Sequence, residues 1–97
     1  MTLVMLYHTK VKEDSVGKMD ELREEFRKIY EQYGINVLGR WKNIEKPHES
    51  YYMVTYEDND DYEQKIDALH EDERYLNLTS QINLIRTEFK AIKLEPQ

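Results

Sequence analysis

Two stretches of this chain read as β-strands with no polar side. In Leu3–Val11, Leu3, Met5, Tyr7 and Thr9 share one face, and Val4, Leu6, His8 and Lys10 share the other. In Tyr51–Tyr56, Tyr51 and Met53 oppose Tyr52, Val54 and Tyr56. Successive strand side chains point to opposite faces, so a sheet built on these segments needs cover on both sides. With 97 residues the chain has room for one domain, residues 1–97, with a modest core of its own.

The remaining pattern limits what that cover can be. Lys12-Glu13-Asp14-Ser15 breaks the first strand, and Asp14 or Ser15 is placed to cap a helix. Val16, Met19, Leu22, Phe26, Ile29, Tyr30 and Tyr33 recur at steps of three and four, the stripe of an α-helix, and Gly34 ends it. Ile35–Ile44 reads as a second strand, with Lys46–Ser50 as a turn before the third. The acidic run Glu57–Asp61 offers several caps for a helix carrying Tyr62, Ile66 and Leu69. His70-Glu71-Asp72 interrupts that helix, a second piece carries Tyr75, Leu76, Leu78, Thr79 and Ile82, and a last strand runs from about Leu84 to Leu94.

The order is β-α-β-β-α-β. Right-handed crossovers put both helical layers on one face of a four-stranded antiparallel sheet, giving a ferredoxin-like α+β fold. The other face has no helix. Whichever parity it shows, it carries large apolar or aromatic side chains, and such a patch marks an interaction surface. A second copy of the chain, sheet against sheet, would cover it and make a dimeric α+β barrel around a central or twin cavity.

Composition removes several classes of function. The formal charge is −6, and phosphate backbones require a basic patch, so no nucleic-acid partner is expected. Arg23, Arg27 and Lys28 are interleaved with Glu24, Glu25 and Glu31, which reads as a solvated helix face. The chain has no cysteine, which excludes disulfides, thiolate metal sites and cysteine nucleophiles. No apolar run approaches the ~20 residues of a membrane span, and the start lacks the features of a signal peptide. Cytoplasm is the expected compartment, with no membrane partner.

The segments Tyr33-Gly34-Ile35-Asn36-Val37-Leu38-Gly39-Arg40-Trp41, Val16-Gly17-Lys18-Met19, Tyr52-Met53-Val54-Thr55-Tyr56-Glu57-Asp58 and Glu71-Asp72-Glu73-Arg74-Tyr75 together resemble NIPSNAP-type domains of the dimeric α+β barrel superfamily. That family usually has proline where this chain has Val16, and often an arginine where it has Tyr7. The resemblance implies a homodimer with facing sheets. It implies no single activity, since the superfamily spans monooxygenases, isomerases and proteins without a known reaction. Members that degrade haem use an asparagine on the first strand and a tryptophan and histidine on a helix. Here the first strand has no asparagine and the one tryptophan, Trp41, is on the second strand, so no cofactor is expected.

Candidate chemistry is sparse. Of His8, His48 and His70, none pairs at metal-site spacing, so no metal is expected. His48 reads as a turn residue and His70 as a helix-end cation. His8, if it faces the space between sheets, is the candidate catalytic base. Tyr7, Arg40, Tyr51 and Met53 are the candidate ligand residues: tyrosine hydroxyls suit an aromatic or carbonyl-bearing molecule, and Arg40 suits an acidic one. Arg40 and Trp41 are strand neighbours, so only one of them faces a given cavity. Two functions follow. One is a dimeric barrel that binds a small molecule between facing sheets or serves as an assembly module. The other is a cofactor-independent monooxygenase or isomerase acting on a small aromatic or enolisable substrate.

Overall fold

Met19, Leu22, Arg23, Phe26, Ile29 and Tyr30 form the buried stripe of the first helix, and the sheet is what they bury against. The computed structural model describes residues 2–97. Leu3–Val11 forms β1, and a 3-10 turn over Glu13–Ser15 leads into α1, Val16–Gln32. The hairpin strands are β2, Asn36–Lys42, and β3, Glu49–Tyr56. Then come α2 (Asn59–His70), α3 (Glu73–Ile85) and β4 (Arg86–Leu94). The strands pair antiparallel in the order β2-β3-β1-β4, so each crossover skips one strand, as a ferredoxin-like α+β fold requires.

Local chemistry sets the ends of these elements. Gly34 takes φ 68°, the left-handed conformation that closes α1. Asp58 caps α2 by accepting from the Asp61 N–H at 2.7 Å. Asp72 caps α3, accepting from the N–H groups of Arg74 at 2.8 Å and Tyr75 at 3.3 Å. The start of α1 departs from expectation. Neither Asp14 nor Ser15 caps it: the 3-10 turn runs straight into the helix, and the Ser15 hydroxyl donates to the Asp14 carboxylate instead. β2 stops at Lys42, short of Ile44, because the Asn43 side chain accepts from the Glu45 and Lys46 N–H groups and folds the turn early. β4 starts two residues later than Leu84 because α3 continues to Ile85.

Strand parity, which the sequence leaves open, is resolved by packing. Met5, Tyr7, Thr9 and Val11 of β1 and Tyr52, Val54 and Tyr56 of β3 are buried on the helix side. Leu69, Leu78 and Ile82 close the core from α2 and α3. The solvated-face reading holds for Arg27 and Lys28, which pair with Glu24, Glu31 and Glu25 at the surface. It fails for Arg23, which is only 7% exposed. Arg23 follows Met19 by four residues and precedes Phe26 by three, which places it on the apolar stripe.

Leu69 is fully buried, so Leu69→Ala should lower the unfolding free energy by about 2–5 kcal/mol in urea titration. A second test concerns Asp72, whose carboxyl is held well below the usual carboxylate range by the Arg74 guanidinium and the Tyr33 hydroxyl. A depressed folded-state pKa gives stability that is complete above about pH 4 and lost as the pH falls further. The stability gap between Asp72→Ala and the parent should therefore be widest at neutral pH and shrink below about pH 4. A gap that stays constant down to pH 2 would remove Asp72 from this role.

Candidate functional site

Because Tyr7 of β1 lies opposite Tyr52 of β3 in the sheet register, their rings stack on the helix side at 4.6 Å between centroids. Phe89 of β4 extends the row, 5.9 Å from Tyr7. A guanidinium stands near each end: Arg23 has its central carbon 4.4 Å from the Tyr52 ring centroid, and Arg86 lies 4.5 Å from that of Phe89. Between this row and the helices lies an inner chamber of about 160 Å³, closed by Phe26 and Tyr30 of α1, Ile66 of α2, and Tyr75, Thr79 and Ile82 of α3. An outer cleft of about 420 Å³ opens between α1 and β2, with Arg40 at its edge. Arg23, Phe26, Tyr30 and Tyr52 line both spaces.

The chamber holds neutral hydroxyls and unpaired cations. Burial raises the pKa values of the lining residues Tyr7, Tyr30 and Tyr75, and of Tyr56 outside the chamber, above the ordinary tyrosine value, and the neighbouring tyrosines add to the shift. At neutral pH these groups are hydrogen-bond donors and acceptors, never phenolates. Tyr30 and Tyr52 bring their hydroxyls to 3.4 Å. Arg23 donates from Nη2 to the Thr9 hydroxyl at 2.8 Å, while its buried Nε–H finds no acceptor among the described residues. Burying a guanidinium costs several kcal/mol unless a partner offsets it, and among the described residues no carboxylate pairs with Arg23, Arg40 or Arg86. Desolvation, reinforced by the like charge of Arg23, lowers the Arg86 pKa.

The sheet divides the residues expected to form one site. Tyr7 and Arg40 stand on the helix side, Tyr7 in the inner chamber and Arg40 at the rim of the outer cleft. His8, Tyr51 and Met53 stand on the opposite, helix-free face. There the His8 ring stacks on Tyr51 at 4.4 Å, and His8 Nε2 lies 3.1 Å from Glu49. Desolvation pushes the Glu49 carboxyl up, but the His8 hydrogen bond and Lys10 outweigh it and hold it lower than usual. His8 is thus braced by a carboxylate, about a strand thickness away from Tyr7. The same face carries Leu6, Met53, Ile92, Leu94 and a 53% exposed Trp41. The Trp41 indole lies over Gly39, where a Cβ would meet the ring at 2.8 Å. His48 sits in the β2–β3 turn and His70 in the last turn of α2, as read from sequence.

Four residues central to the chamber were not among the expected site residues: Arg23, Tyr30, Tyr75 and Arg86. The available signal was the helical spacing that puts Arg23 among Met19, Phe26 and Tyr30. Arg86 carried no such signal, since it sits where α3 gives way to β4.

No family model and no curated protein matches the sequence. Solved structures match closely in shape. A NIPSNAP family protein from Agrobacterium tumefaciens superposes with a TM-score of 0.90 at 19% identity, covering 100% of this chain and 94% of that one. An uncharacterized NIPSNAP domain protein from Burkholderia xenovorans gives 0.87 at 18% identity, covering 98% of this chain and 94% of that one. An antibiotic biosynthesis monooxygenase gives 0.79 at 13% identity, covering 98% of each chain. The fold is therefore the one found in NIPSNAP structures, as the sequence resemblance implies. At these identities the likeness extends to the fold and no further.

Alkaline titration at 295 nm tests the electrostatics of the chamber. Of the eight tyrosines, Tyr7, Tyr30 and Tyr56 should resist ionisation well above the ordinary tyrosine range and ionise only when the protein unfolds. Uniform ionisation near pH 10 in protein that remains folded would contradict the raised values.

Proposed function

We propose that this chain is a homodimeric barrel module that binds a small aromatic molecule, and that the ligand sits in the helix-side chamber of each protomer, not between the facing sheets. One observation carries the reading: the chamber combines stacked aromatic walls with buried tyrosine hydroxyls that converge on it. Concave, mostly apolar spaces with a few convergent polar groups are where small ligands bind. The homodimer rests on the other face. Leu6, Met53, Trp41, Ile92 and Leu94 supply apolar area, and Trp and Met are enriched at interface centres. A cytoplasmic setting belongs to the same reading. No helix among the described residues is long and apolar enough to cross a membrane.

The second reading is a cofactor-independent monooxygenase or isomerase for a small aromatic or enolisable substrate. It draws on the same chamber but needs a proton acceptor. The inner chamber is lined by no carboxylate and no histidine among the described residues, and its tyrosines are too weakly acidic to serve as phenolate bases. His8 and Glu49 lie on the other side of the sheet. Binding therefore stands ahead of catalysis.

Sedimentation velocity at micromolar concentration should give a dimer for the parent chain and a folded monomer for Met53→Asp. A parent that stays monomeric would overturn the assembly. For the ligand site, phenol titrated into the protein should shift NMR resonances of Tyr7, Tyr52 and Tyr75, and Thr79→Phe, which fills the chamber, should abolish the shifts. Shifts confined to His8 and Tyr51 would instead place the ligand between the sheets.

A further inference from the structure

Of the five arginines in this chain, two have conventional partners. Arg27 pairs with Glu24 and Glu31, and Arg74 pairs with Asp72. Arg23 and Arg86 pair with no carboxylate among the described residues, and both line the inner chamber. The chain has 20 acidic side chains against 14 basic ones, so acidic partners are not scarce. The acids nearest the outer spaces are already engaged, Glu31 with Arg27 and Asp20 with Lys42. Arg23 is also more than nine-tenths buried, and its Nε–H has no acceptor among the described residues. A buried donor left unmade is costly, and more so on a charged group. The cation contact with Tyr52 and the single bond to Thr9 use the face of the guanidinium and one of its nitrogens. The edge that carries Nε is what a carboxylate engages.

We infer that the chamber is a seat for a small aryl carboxylate, with the carboxylate taken by the Nε edge of Arg23, Arg86 supplying the second positive charge, and the aryl ring packed along Tyr7 and Tyr52. This rests on the reading of the chamber as a ligand site and adds the charge and chemical class of the ligand. The row Phe89–Tyr7–Tyr52 is flanked by the two guanidiniums, so one molecule bearing both a ring and an acid satisfies both features. The chamber walls among the described residues carry no negative charge to repel it. Burial, and after it the like charge of Arg23, lowers the Arg86 pKa from its ordinary value, as a nearby anion would not.

Benzoate, benzyl alcohol and inorganic phosphate are the probes, titrated into the full-length protein and followed by NMR at the arginine Nε–H and tyrosine ring resonances. Benzoate should bind at least tenfold more tightly than benzyl alcohol and shift the Arg23 Nε–H resonance. Arg23→Gln and Arg86→Gln should each weaken benzoate at least fivefold while leaving benzyl alcohol unchanged. Arg86 is the partly exposed member of the pair, so Arg86→Gln keeps the test decisive if Arg23→Gln does not fold. Equal binding of benzoate and benzyl alcohol would overturn the carboxylate seat and leave the aromatic-ligand reading intact. Phosphate binding as tight as benzoate would overturn the aryl class. Failure of all three probes to reach the chamber would overturn both readings.

Discussion

A β-strand cannot turn two adjacent side chains to the same side, and in β1 this separates Tyr7 from His8. Tyr7 enters a closed aromatic layer beneath the helices, whereas His8 joins Glu49 and Tyr51 on the helix-free face. The central strands β1 and β3 are apolar on both faces, yet the crossovers deliver α1, α2 and α3 to only one of them. One face thereby encloses a chamber. The other presents Leu6, Met53 and Trp41 in a form that two copies of the chain would cover. The two sides of one sheet therefore present different surfaces, a concave aromatic one and an open apolar one.

Within the chamber the dominant cost is the buried charge of Arg23. Surface pairs such as Arg27 with Glu24 contribute little and are screened by salt. Among the described residues Arg23 has no carboxylate partner, and it rests on the Thr9 hydroxyl and the Tyr52 ring. Folding tolerates this because Met19, Leu22, Phe26, Ile29 and Tyr30 bury the rest of the α1 stripe and hold the guanidinium in place.

Much of the fold was legible because hydrophobic period and turn chemistry are local. The three-and-four stripe of α1, the break at His70–Asp72 and the left-handed stop at Gly34 each depend on residues close in sequence. The element order followed, and with it the ferredoxin-like topology. The site was far less legible. Tyr7, expected to share one space with His8, Tyr51 and Met53, faces the helices, and the sheet separates it from the other three. The charged sequence neighbours of Arg23 suggest a solvated position, whereas its i−4 and i+3 neighbours, Met19 and Phe26, are core residues.

From the sequence alone came the number and kind of elements, their order, and the need to cover a sheet that is apolar on both sides, since each depends on composition and short-range periodicity. Tertiary structure alone decided which parity meets the helices, and therefore which aromatic residues share a chamber and which share an open face. The physical reason is that both parities of β1 and β3 offer apolar side chains, so no local term distinguishes them. The choice is made by packing complementarity between α1, α3 and the sheet, and that same packing draws Arg23 and Arg86, far apart in the chain, to the two ends of one aromatic row.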